Sequence, residues 1–141
     1  MTNNTLLLEP FLAYVPYLAL LVRVVVGGTL MIHGYPKVKS REQSMNWMKS
    51  MGLPGATALI AGVLEFFGGL LLVVGLIVPI IGFFLAIQFA SIILMKKSRM
   101  KASYVSTSKV SFEIDALYLL LAIILIVIGA GVLSIDGLVG Y

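Results

Sequence analysis

A chain of 141 residues that is 60% hydrophobic and only 11% charged does not read as an ordinary water-soluble domain. Such domains keep about a quarter of their residues charged, and at this size they have too much surface to hide so many apolar side chains. The formal net charge is +4, and the single histidine and the absence of cysteine exclude several chemistries within this chain: a disulfide framework, thiol–disulfide exchange, a cysteine-ligated iron–sulfur centre and a haem held between two histidines.

A bilayer resolves the conflict by solvating the outward faces, and the length suits one domain of about four spans. The first ten residues hold no Lys or Arg and no A-x-A pattern follows, so no cleaved secretory leader is expected. The first apolar run covers about 11–33, with Pro16 early in it, Arg23 inside it and Gly34-Tyr35-Pro36 closing it. A basic loop follows, carrying Lys37, Lys39, Arg41 and Lys49. Within this loop Ser40 and Gln43 form a capping-box pattern and Gly52 with Pro54 a stop signal, which predicts a short helix. Met45, Trp47, Met48 and Met51 fall on one arc of it, opposite Glu42, Asn46 and Lys49. That pattern predicts an interfacial helix acting as a lid on the bundle, or a partner or quinone-access surface.

The second run, about 56–76, contains Glu65. Gly75-Leu76-Ile77-Val78-Pro79 joins it by a tight hairpin to the third run, about 79–95, whose Pro79 suits a first helical turn. A second basic loop holds Lys96, Lys97, Arg99, Lys101 and Lys109, and the fourth run covers about 114–134. Each run approaches the 20 or so residues that cross about 30 Å of hydrocarbon. The fold class expected is all-α: an integral membrane antiparallel four-helix bundle with a short interfacial helix in the first cytoplasmic loop. Nine of the ten basic residues lie in the two long loops, so the positive-inside rule places loops 34–55 and 96–113 in the cytoplasm and both termini outside. Small residues mark helix contacts: Ala58, Gly62 and Gly69 share a stripe with Glu65, and Gly82, Ala86 and Ala90 form another.

Arg23 and Glu65 are the principal site candidates. Counted from the expected cytoplasmic ends of their runs, they reach a similar depth near mid-membrane, where a lone charge is expensive, and this predicts that they pair. The pair would either fix helix register or line a polar pocket for a quinone carbonyl or a proton step. His33 and Lys37 follow at the end of the first span; a histidine titrates near neutral pH and can relay protons or bond a quinone oxygen. Glu113 and Asp115 open the fourth span, where the macrodipole favours acidic residues, and they could offset His33 and Lys37. Gln88 needs a polar partner in lipid and could join the cluster. Asp136 reads as a turn residue. There is no phosphate loop, nucleophile–base pattern or metal-ligand cluster.

In order and spacing, these features resemble the DoxX family of four-span membrane proteins. The matching residues are Arg23 with Gly27, His33-Gly34 with Lys37, Gly52-Leu53-Pro54, Ala61 through Glu65 to Gly68-Gly69 and Gly75, and the ending Gly129-Ala130-Gly131-Val132-Leu133-Ser134-Ile135-Asp136. That ending is similar to the family's G-P-G-R-x-S-x-D pattern, with Ala130 in place of proline and Val132 in place of arginine. The resemblance implies a link to respiratory quinones, because relatives named DoxD and DoxA are associated with thiosulfate:quinone oxidoreductase and a terminal quinol oxidase. It leads to the expectation of an accessory or quinone-interacting subunit of a membrane redox complex in the cell membrane. Any enzymatic role would be that of a subunit, with no cofactor built into the chain beyond a bound quinone and with partners among other redox subunits or further copies of itself. The rival readings are a non-catalytic scaffold and, third, a small transporter.

Overall fold

The computed structural model describes residues 9–107 and 109–140. Among the described residues, after a helical turn at 9–12, six helices follow in chain order: α1 (Val15–Lys39), α2 (Arg41–Ser50), α3 (Ala56–Val74), α4 (Val78–Arg99), α5 (Glu113–Ile128) and α6 (Ile135–Val139). No strand occurs among the described residues. Helices α1, α3 and α4 are each long and apolar enough to cross a membrane. Helix α5 is equally apolar but has 16 residues, about 24 Å at 1.5 Å per residue. The expected fourth run therefore ends its helix early, because the chain turns through Gly129 and Gly131 at φ 71° and 73°, a region that only glycine enters freely.

Helix α1 carries Pro16 in its first turn, where the missing N–H would have no partner anyway. Its other end departs from expectation, since the helix runs through Pro36 to Lys39 instead of stopping at Gly34-Tyr35-Pro36. A proline inside a helix leaves the carbonyl four residues earlier without its donor. Here that carbonyl belongs to Ile32, an exposed residue, while the same turn packs its opposite side closely on α3.

Glycines set that packing. A Cβ on Gly27 would lie 2.5 Å from the Gly69 carbonyl oxygen, and one on Gly34 would lie 2.5 Å from the Phe66 nitrogen and 2.7 Å from the Gly62 oxygen. The two backbones are thus in contact along an antiparallel seam. Close approach of this kind holds helices together where lipid removes any hydrophobic drive between them. The Ala58-Gly62-Gly69 stripe faces this seam and is buried. Gly82 plays the same part between α4 and α5, where a Cβ would lie 3.0 Å from the Ala122 oxygen. Leu30, Leu72, Val78, Leu85 and Leu125 fill the centre, and residues such as Ile60, Phe83, Leu120 and Val127 point outward. The bundle therefore consists of two tight pairs, α1 with α3 and α4 with α5.

The short helix expected in the first basic loop is present as α2, and it buries none of its residues fully. Its capping box does not form. Ser40 sits at the N-cap with φ −103° and ψ 51° and makes no side-chain bond there, whereas a capping residue needs an extended backbone. The chain instead passes directly from α1 into α2 through backbone bonds from the Ser40 N–H to the Pro36 oxygen and the Ser44 N–H to the Ser40 oxygen. At the other end Arg99 Nη1 donates to the Met51 oxygen at 3.1 Å, tying α2 across to the end of α4.

Candidate functional site

Two separate polar clusters occupy the bundle, one near each end. The first lies toward the end bearing the basic loops. Glu65, midway along α3, is buried. It accepts from Lys37 Nζ through Oε2 at 2.6 Å and Oε1 at 2.7 Å, and from Gln88 Nε2 at 2.6 Å. Lys37 reaches it because Gly62 gives way: a Cβ there would lie 2.7 Å from Lys37 Cβ. Gln88 Oε1 is buried with no donor among the described residues. A second ion pair stands beside the first, with Lys96 Nζ 2.6 Å from Asp115 Oδ2 and 3.2 Å from the Ser111 oxygen.

Both ion pairs face one cavity of about 620 Å³, lined also by His33, Phe89, Tyr118 and, from α2, Gln43, Ser44, Trp47 and Met48. Tyr118 stacks on Phe89 with ring centres 5.0 Å apart and planes 12° from parallel. The cavity is within the range that encloses a small molecule. Its two ammonium groups can donate to ligand oxygens, its two carboxylates can accept from ligand hydroxyls, and its aromatic faces suit a flat ring. Helix α2 supplies one side of the cavity lining, with Trp47 half exposed.

The second cluster lies toward the α3–α4 hairpin. Arg23 has no measurable exposure, and it donates to the Leu133 carbonyl and, at 3.5 Å, to the Leu72 carbonyl. Gly75 ends α3 at φ 73°, and any side chain there would collide with the Arg23 guanidinium. Asp136 reaches over from α6, accepting from the Ile77 N–H at 2.9 Å and the Val78 N–H at 3.2 Å while its own N–H donates to the Gly75 oxygen at 3.0 Å. Those bonds hold Ile77 at φ 48° and satisfy the first amides of α4. Ser134 closes the segment by donating to the Gly131 oxygen and accepting from the Gly137 N–H at 2.8 Å. Asp136 is therefore a buried keystone of the hairpin, more than the turn residue that the sequence suggests. Replacing it with alanine should cost about 1–2 kcal/mol, seen as a lower midpoint in thermal unfolding of the detergent-solubilised protein.

The expected pairing of Arg23 with Glu65 does not occur. Gly27 opposite Gly69 and Gly34 opposite Gly62 set a register in which Arg23 lies beside Val73 and Glu65 beside Met31. That offset is about eight residues, or ~12 Å of helix rise. Arg23 thus serves the hairpin end, and Lys37 takes its place beside Glu65. Of the candidates, Glu65, Lys37 and Gln88 come together directly, and His33 lines the same cavity from an exposed position. Asp115 joins the cavity through Lys96 and not through His33 or Lys37. Glu113 takes the first turn of α5 without capping it by its side chain. The residues that sequence reasoning missed are Lys96 and Tyr118. Both carried a signal: Lys96 ends α4 at the depth where Asp115 begins α5, and Tyr118 lies three residues beyond Asp115 on the same helical face.

The DoxX family model matches residues 18–97, the stretch that contains Arg23, Lys37, Glu65, Gln88 and Lys96. The chain is 32% identical over 117 residues to a Bacillus subtilis (strain 168) protein named "Putative oxidoreductase CatD", a match covering 83% of each chain. No solved structure matches at a significant level. By the family-model match over more than half of its length, supported by the Bacillus subtilis relative, this chain belongs to the DoxX family of multi-pass membrane proteins.

Proposed function

We propose that the protein binds a quinone head group in the cavity at its basic-loop end and serves as a quinone-interacting subunit of a membrane redox complex. The observation that carries this reading is the joint exposure of two ion pairs, Lys37–Glu65 and Lys96–Asp115, to one aromatic-lined cavity of about 620 Å³. A purely structural ion pair is better served by close packing around it, because an adjoining cavity forfeits contacts. The arrangement suits a flat ring with an oxygen at each end: lysine ammonium groups donate to carbonyl oxygens, and the carboxylates accept from hydroxyls once the ring is reduced. A bound quinone would supply the two-electron redox chemistry, with electrons coming from a partner subunit. The named oxidoreductase relative supports the class of chemistry. In this reading the basic loops lie at the cytoplasmic face of the cell membrane, and α5 with the capping segment after it completes a fourth crossing.

The single tryptophan of the chain, Trp47, lines the cavity and reports on it directly. Titrating the detergent-solubilised protein with a tail-less benzoquinone or naphthoquinone should quench its fluorescence saturably. Glu65→Gln and Lys96→Met should each weaken that binding about tenfold or more, the worth of a charge-assisted hydrogen bond. Quenching that rises linearly without saturation, equally in all three proteins, would overturn the proposal.

A further inference from the structure

Helices α1 and α5 pack less closely than α1 with α3 or α4 with α5, and a second, apolar hollow of about 210 Å³ lies between them. Val25, Val26 and Thr29 form one wall, and Leu117 and Leu121 the other. Its floor is shared: Ile114 and Tyr118 line both this groove and the polar cavity. Val25, Ile114 and Leu117 are each more than half exposed, so the groove faces the lipid along the outside of the bundle. A polar chamber and an apolar, outward-facing hollow thus adjoin across Ile114 and Tyr118.

We infer that this groove receives the isoprenoid tail of the quinone whose head group occupies the cavity, so that the ligand enters sideways from the membrane between α1 and α5. The inference rests on the head-group reading above and adds the tail and the route. A polar chamber beside an apolar hollow suits a ligand with a polar and an apolar part joined. With about 210 Å³ the groove has room for the head-proximal part of a tail while the remainder stays in lipid. Because lipid is as apolar as the groove, the gain comes from filling the hollow and from tethering the head, not from hydrophobic transfer.

The test compares two probes by Trp47 fluorescence: a tail-less quinone and the same ring bearing several isoprene units. Thr29→Phe fills the groove from α1 and Leu117→Phe fills it from α5. Val63→Phe, on the exposed face of α3, is the control for added bulk. In both groove variants the long-tailed quinone should bind about tenfold more weakly, with the tail-less quinone unchanged and Val63→Phe unlike either. Two groove variants on different helices keep the test valid if one fails to fold. If the unmodified protein binds both probes and the filled variants treat them as it does, the tail assignment falls while the head-group reading stands. If the unmodified protein binds neither, both fall. If filling the groove weakens both probes equally, the groove holds part of the head and the tail assignment is wrong.

Discussion

Gly27→Ala should destabilise the protein by about 3 kcal/mol, while Gly28→Ala, one residue along the same helix, should be neutral or slightly stabilising. At Gly27 the added methyl would lie 2.5 Å from the Gly69 carbonyl oxygen and 2.9 Å from Val73 Cγ2, and at Gly28 it meets nothing within 4 Å. The Gly69 oxygen is backbone on a packed helix, so relief requires α1 and α3 to separate along the seam. Overpacking of this kind costs about 1–3 kcal/mol where side chains can yield, and the upper end applies where a backbone must. Gly28→Ala gains the helix propensity of alanine, up to about 1 kcal/mol. Gly69→Ala should repeat the Gly27 effect, since its methyl would lie 2.5 Å from the Gly27 oxygen. Thermal unfolding in one detergent, followed by helical circular dichroism, checks all three. Equal midpoints for Gly27→Ala and Gly28→Ala would show that the seam is wrong.

The same seam explains what the sequence could and could not reveal. The apolar runs, the Gly75–Pro79 hairpin and the small-residue stripe on α3 are local patterns, and each is visible in the order of residue types. The Arg23–Glu65 pairing required one more quantity, the slide of α1 along α3. Ending α1 at Gly34-Tyr35-Pro36 cuts it short of Lys39 and gives both charges a common depth. The true slide is fixed by Gly27 against Gly69 and Gly34 against Gly62, a contact between distant segments that no local pattern displays. Lys96–Asp115 was hidden for a related reason, because its members are separated by an irregular loop and each had a sufficient local explanation as a terminal charge. Arg23's true partners, the Leu72 and Leu133 carbonyls, lie far along the chain and are both backbone.

Lys37→Met should cost more than Glu65→Gln, although the two substitutions break the same ion pair. Glu65 is 3% exposed at its side chain and Lys37 is 36% exposed. Removing the lysine leaves a carboxylate only 3% exposed with Gln88 as its one remaining side-chain donor among the described residues, and an uncompensated buried charge costs about 3–5 kcal/mol. The partial exposure of Lys37 lets water screen part of that interaction, which places the expected loss near ~3 kcal/mol. Removing the carboxylate leaves a lysine that can swing its ammonium group outward along its flexible stem, and the neutral amide that replaces it still accepts from Gln88. That change should cost about 1 kcal/mol. The double variant Lys37→Met/Glu65→Gln should recover most of what Lys37→Met alone loses, because no charge remains buried. An Arg23→Glu/Glu65→Arg exchange should recover nothing: it sets a glutamate against the Leu72 and Leu133 carbonyls and an arginine beside Lys37. Unfolding midpoints across these four proteins separate the two pairings. Recovery in the Arg23/Glu65 exchange, or a larger loss for Glu65→Gln than for Lys37→Met, would mean that Glu65 answers to a partner other than Lys37.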